Sequence, residues 1–68
     1  MITLEYLRSV NAVAIINDDW DVEIRFEIGK VKFWIIGTTG YKINHLGERT
    51  IVPNVITPEV VDEALRLL

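Results

Sequence analysis

The residues of this chain that could do chemistry begin with an acidic cluster beside a tryptophan. Asn17, Asp18, Asp19 and Asp21 are close in sequence, with Trp20 among them. Carboxylates at this spacing could hold Ca²⁺ or Mg²⁺. A helix–loop–helix calcium loop also needs a mid-loop glycine and a terminal bidentate glutamate, and neither stands at the required offset. Because Asn and Asp favour turns, we interpret the cluster as the turn before a strand and expect no metal site.

Two glycines, Gly37 and Gly40, make a phosphate-binding loop a second candidate. A P-loop requires four residues between its glycines and a lysine directly after the second. Here two residues separate them, and Tyr41 precedes Lys42. The Gly-x-x-Gly loop of KH domains lies between helices and has basic neighbours, whereas this one follows a strand pattern in an acidic chain. We therefore interpret the glycines as the point where the chain leaves one strand and enters the next.

The only histidine, His45, lacks partners for catalysis or metal binding. The chain has no cysteine, and no serine or carboxylate stands at a spacing that would complete a catalytic set. We interpret His45 as a surface loop residue. No motif for chemistry rises above background, so the sequence predicts no catalytic residue, no metal and no cofactor.

The residues from 20 to 28 alternate strictly between apolar and charged. Period-two alternation is typical of a strand with one buried face and one solvated face. The charged positions are Asp21, Glu23, Arg25 and Glu27. The apolar positions are Trp20, Val22, Ile24, Phe26 and Ile28.

A second apolar run over residues 31–36 follows the dipeptide Gly29-Lys30. A two-residue loop with glycine first favours a type II′ hairpin turn. The turn sets a register in which Phe26 lies opposite Phe33 on one face of the sheet. On the other face Arg25 lies opposite Trp34, and the sequence therefore predicts a 20–28/31–36 hairpin.

The remaining elements are shorter. Thr3 can cap a helix that we place from Thr3 to Val10. Residues 12–16 are rich in β-branched side chains and favour a strand, although one longer N-terminal helix would also fit. Residues 41–43 and 50–52 have strand composition, and Thr57-Pro58 opens a C-terminal helix with an amphipathic pattern. The prediction is a single α+β domain over residues 1–68: a small two-layer fold with an antiparallel sheet of three to five strands packed on both helices.

The strongest candidate for an interaction site is Trp34 with Ile36. The hairpin register places both on the charged side of the sheet, beside Arg25 and Lys32. A tryptophan with an apolar neighbour inside a polar rim is typical of an interface. Two other interpretations stay open: Trp34 could simply stack on Arg25, or the loop over residues 40–49 could cover it.

Composition points toward association and away from several other classes. Half of the 68 residues are hydrophobic, which is more apolar material than so small a monomer easily buries. The net charge of −3 argues against nucleic-acid binding, which favours a basic surface. The N-terminus does not resemble a signal peptide, and no apolar run is long enough for a membrane span. We expect a cytoplasmic protein.

The sequence favours a non-catalytic interaction module that binds protein, or a second copy of itself, through the open sheet face or an edge strand. Its size and acidity fit an accessory or inhibitor-type protein of a microbe or phage. The alternative is single-stranded nucleic-acid binding through Trp34, Arg25 and Lys32, with Lys30 and Lys42 nearby. A third hypothesis is an enzyme whose site forms between subunits.

Overall fold

The sheet of this protein is a five-stranded antiparallel meander with both helices on one side. The computed structural model describes residues 1–68, and each strand pairs with the next one along the chain. The elements are α1 (Leu4–Ser9), β1 (Val13–Ile16), β2 (Val22–Ile28), β3 (Val31–Ile36), β4 (Thr39–Ile43), β5 (Arg49–Val52) and α2 (Pro58–Leu67). The predicted small two-layer α+β fold is confirmed.

The β2–β3 hairpin has the register predicted from its two-residue turn. Phe26 pairs with Phe33 and Arg25 with Trp34. Gly29 has a φ of 60°, whereas Lys30 keeps a negative φ. A positive φ at the first turn position only is the type II′ geometry, which glycine adopts without a steric penalty.

A second tight turn joins β3 to β4, where the sequence pattern had indicated a longer interruption. Gly37 has a φ of 58°, and Ile36 pairs with Thr39 directly across Gly37-Thr38. Strand β4 therefore begins at Thr39, two residues before the predicted start at residue 41. Gly40 is a strand residue whose missing Cβ leaves room for Val55, since an added Cβ would lie 3.0 Å from the Val55 Cγ2.

Local capping chemistry explains both helices. The Thr3 hydroxyl accepts a hydrogen bond from the Tyr6 amide, and Thr57 does the same for the amide three residues later, so both predicted N-caps are confirmed. Helix α1 ends where Asn11 adopts a φ of 55°. The Ala12 amide then reaches back to the Leu7 carbonyl, which is a Schellman motif. This cap excludes the longer helix and leaves residues 13–16 free to form β1.

The predicted start of β2 was wrong at Trp20. The Asn17 side chain accepts hydrogen bonds from the amides of Asp19 and Asp21, which holds the chain in a turn until residue 21. Trp20 has a φ of 64°, and its side chain is 85% exposed. The side-chain hydrogen bonds of Asn17 compete with strand pairing at this point, so the ladder begins only at Val22 and Trp20 never reaches the core.

The core lies between the helices and one face of the sheet. Its largest fully buried side chains are Leu7, Ile24, Ile35 and Ile56. The rings of Phe26 and Phe33 stack with their centroids 5.0 Å apart, and the Tyr6 ring meets Phe26 edge-on at 6.0 Å. Neither helix is long and apolar enough to cross a membrane.

We predict that Phe26→Ala largely unfolds the protein at room temperature. Removing a buried phenylalanine side chain costs about 3–5 kcal/mol, and a domain of this size has a total stability of about 3–5 kcal/mol. Phe33→Ala should cost less, because Phe33 is only half-buried. Urea titrations followed by circular dichroism measure both changes.

The matched control for Phe26→Ala is Ile28→Ala, which changes the same face of the same strand at a residue that is 44% exposed. The control should unfold close to the wild-type midpoint. A Phe26→Ala midpoint as high as that of the control would contradict the placement of the core.

Candidate protein-interaction surface

The sheet face opposite the helices is uncovered, and we call it the open face. Strand register places three rows of side chains across it. The middle row runs from β1 to β5 as Val13, Arg25, Trp34, Tyr41 and Ile51. One flanking row is Ile15, Glu23, Ile36 and Thr39. The other flanking row is Glu27, Lys32, Ile43 and Arg49. None of these residues belongs to the buried hydrophobic core.

Apolar side chains dominate the open face. Seven of its thirteen positions are apolar or aromatic, and four of the five strands contribute them. Val13 is 53% exposed and Ile51 is 61% exposed, while Trp34, Ile36 and Tyr41 are half-buried by their neighbours. The solvated face of an antiparallel sheet is usually polar. The apolar residues of β3, β4 and β5 adjoin one another, whereas β2 places only charged residues between them and the apolar residues of β1. An exposed apolar surface of this kind in a small protein is typical of an interaction site.

The centre of the open face contains one ion pair that also orients Trp34. The Arg25 Nε donates to Glu23 Oε1 at 2.8 Å, and the Arg25 Cζ lies 5.7 Å from the centroid of the Trp34 ring. Glu23 is only 7% exposed, with Ile15 and Ile36 as its cross-strand neighbours. The pair neutralises the buried carboxylate, and the cation–π contact restricts the indole.

The remaining charges lie at the margin of the open face. Glu27, Lys32 and Arg49 share one flanking row, and all three are exposed. With the central ion pair, the face carries three basic and two acidic side chains. Lys42 pairs with Phe33 and therefore lies on the helix side, while Lys30 lies in the hairpin turn. The basic residues that the nucleic-acid hypothesis groups around Trp34 are thus divided between different surfaces.

The structure brings the four predicted interaction residues together. Trp34, Ile36, Arg25 and Lys32 all lie on the open face, in adjacent positions of β2 and β3. Trp34 on β3 is the cross-strand neighbour of Tyr41 on β4. Residues 40–43, which one interpretation of the sequence assigned to a loop that could cover Trp34, belong instead to β4 of the same sheet.

Sequence reasoning missed the apolar residues that the other strands contribute to this face. These are Val13, Ile15, Tyr41, Ile43 and Ile51. The alternating pairs 13/15 and 41/43 were a usable signal of a shared face. Which face they share depends on strand pairing, which the sequence pattern left undetermined.

The other candidate residues stay apart from the open face. Residues 17–21 form the turn described above, and no group of three or more His, Cys, Asp or Glu side chains is arranged to hold a metal ion. His45 is exposed in the β4–β5 turn, where the Asn44 side chain accepts hydrogen bonds from the amides of Leu46 and Glu48. No family model, curated protein or solved structure matches the chain, so its function has to be inferred from this geometry.

We predict that Arg25→Met destabilises the fold through Glu23. Without Arg25 the buried Glu23 carboxylate is unpaired, which lowers the free energy of unfolding by about 1–3 kcal/mol. Because the Arg25 side chain is half-exposed, we expect a loss toward the lower end of this range. In a Glu23→Gln background the same substitution should cost clearly less. Urea titrations of the four proteins in this double-mutant cycle give the coupling free energy.

Lys32→Met is the matched control, because it removes a basic side chain from the same face without breaking an ion pair. Its effect on stability should be small and independent of residue 23. Equal costs for Arg25→Met in both backgrounds would show that the ion pair does not stabilise the open face.

Proposed function

We propose that this protein is a non-catalytic interaction module that binds a protein surface through the open face of its sheet. The observation that carries the proposal is the apolar area formed there by adjoining side chains from β3, β4 and β5, with two more apolar side chains from β1 beyond the charged residues of β2. Burial of apolar surface is the main favourable term in protein association. A partner that covers the open face would bury the apolar side chains that the two helices leave exposed to solvent.

The arrangement of residues on the open face supports the same conclusion. Trp34 lies at the middle of the middle row, and Trp is among the residues that most often dominate binding free energy. Its contact with Arg25 restricts the ring before binding, which lowers the entropy lost on association. The charged margin around Lys32 can set orientation and exclude wrong partners without large desolvation.

Binding through a sheet edge is the less favoured form of this proposal. Strands β1 and β5 each pair on one side only, so both expose backbone groups that could accept another strand. Each is only four residues long, and edge pairing would leave the apolar face in water. The proposal includes a role as a cytoplasmic accessory or inhibitor-type protein, for which small size and acidity are the support.

We predict that the double variant Trp34→Ala, Ile36→Ser stays folded and loses its partner. Truncation of a central interface aromatic costs about 2 kcal/mol or more of binding free energy, whereas both residues lie outside the buried core. The measurement pairs a thermal melt with affinity capture by wild-type and variant protein, with captured proteins identified by mass spectrometry.

The matched control is Trp20→Ala, Ile28→Ser, which makes the same two chemical changes away from the open face. It should keep every partner that the wild type captures. If the control loses the partner and the Trp34 variant keeps it, the open face is not the binding site and the turn at residues 17–21 becomes the candidate.

We further predict that nucleic-acid binding is absent or wholly non-specific. The net charge of −3 and the separation of Lys30 and Lys42 from the open face leave no extended basic groove along which a strand could lie. Fluorescence anisotropy with single-stranded and duplex oligonucleotides, at about physiological salt, tests this. Sub-micromolar affinity with a steep salt dependence would contradict it.

A further inference from the structure

We infer that the partner of the open face is a second copy of this chain, packed face to face about a two-fold axis that runs parallel to β3. The inference rests on the proposed function and specifies the occupant of the same surface. Most homo-oligomers are two-fold dimers, in which one surface must complement itself. The three rows of the open face allow this self-complementarity to be examined residue by residue.

With a two-fold axis along β3, the central strand β3 of one copy faces β3 of the other. Strand β2 then lies over β4 of the second copy, and β1 lies over β5. Strand directions then agree between the two sheets, as in the common aligned packing of sheets. At the axis Trp34 meets Trp34, Ile36 meets Ile36 and Lys32 meets Lys32, so the tryptophan lies at the centre of the interface and the lysine at its margin.

The off-axis positions of the middle row pair with chemically suitable residues. Val13 faces Ile51 of the second copy, so the two most exposed apolar side chains of the face cover each other. Arg25 faces Tyr41 of the second copy, where the guanidinium can contact a second aromatic ring in addition to Trp34. Each of these contacts occurs twice because of the symmetry.

At the margin this axis brings the two Lys32 side chains together, and the Glu27 side chains beside them offset the repulsion. Glu27 on β2 faces Ile43 on β4 of the second copy. The neighbours of Ile43 in its own row are Lys32 on β3 and Arg49 on β5. Each Glu27 therefore lies between two basic side chains of the other copy, and this contact too is made twice.

The other in-plane two-fold axis, which runs across the strands along the middle row, does not give such a match. It places each strand over itself with the two flanking rows exchanged. Glu23 would then face Glu27 of the second copy, and Arg25 would face Arg25. Like charges in direct opposition disfavour an interface. The axis along the middle row makes three such oppositions, because Glu23 faces Glu27 twice, whereas the axis along β3 makes one, between the two Lys32 side chains. The charge pattern therefore favours the axis along β3.

The area of the open face is sufficient for a reversible dimer. Five strands at about 4.8 Å spacing and three rows at about 6.6 Å spacing cover about 24 by 20 Å, so two copies bury about 1,000 Å². This value lies in the range of weak and transient interfaces. We therefore expect a reversible dimer with a dissociation constant in the micromolar range rather than a permanent one.

The first test is the mass of the full chain in solution as a function of concentration, by sedimentation equilibrium. Wild-type protein should shift from about one chain mass to two across the micromolar range. Trp34→Ala should weaken the dimer about thirtyfold or more, while Trp20→Ala should leave it unchanged. A monomer at all concentrations up to the solubility limit would overturn the inference.

The second test asks whether Glu27 meets Arg49 of the other copy. Glu27→Lys and Arg49→Glu each place like charges against each other in a homodimer, but a mixture of the two variants restores both contacts in the heterodimer. Both residues are exposed, so both variants should fold. Native mass spectrometry of the mixture should show the heterodimer above its random share and both homodimers depleted.

The matched control mixes Glu59→Lys with Arg66→Glu, which changes the net charges identically on exposed positions of α2. This mixture should pair at random. Random pairing in the Glu27/Arg49 mixture, or equal heterodimer excess in both mixtures, would overturn the axis along β3.

The outcomes also separate this inference from the proposed function. A monomer that captures a different protein in a Trp34-dependent way overturns the dimer and supports the interaction module. A dimer that Trp34→Ala does not weaken overturns the inference alone, because the dimer interface would then lie elsewhere. The proposed function is overturned separately, if the Trp34→Ala, Ile36→Ser variant keeps every captured partner.

Discussion

The register of the β2–β3 hairpin is the constraint on which the rest of this structure depends. Gly29 and Lys30 fix the turn at two residues, and that length decides which side chains of β2 and β3 point toward the helices. A slip of one residue would exchange the two faces. Phe26 and Phe33 would then reach solvent, while Arg25 and Trp34 would have to be buried beneath the helices. The hairpin therefore specifies the core and the open face together.

The open face follows from the small number of layers that the chain can build. Two helices of six and ten residues cover one side of a five-stranded sheet, and residues 1–68 place no helix or strand over the other side. The apolar half of the composition is nevertheless divided between both sides. The apolar residues that exceed what the core can hold thus lie on the open face of the sheet. Their position there is the reason for proposing an interaction function.

The ion pair between Glu23 and Arg25 gives the otherwise apolar centre of the open face a fixed pair of charges. A nearly buried carboxylate is tolerated only when it is paired, and here its partner also lies over the Trp34 ring. A substitution at either position changes both charge and packing. Polar groups placed within an apolar interface can specify orientation more than they add affinity, and β2 supplies this face with three charged side chains and no apolar one.

The sequence by itself determined the features that depend on neighbouring residues. Thr3 and Thr57 start helices, the glycine-first turn sets the central hairpin, and period-two alternation separates Phe26 from Arg25. The hydrogen bonds of Asn17 to the amides of Asp19 and Asp21 are local as well, and they keep Trp20 out of β2 although the alternation includes it. Tertiary structure alone decided which strands are neighbours in the sheet. It also decided that Val13, Tyr41 and Ile51 join Trp34. Alternation shows which residues share a face, but strand pairing and the helices, which act between residues distant in sequence, determine which face is left uncovered.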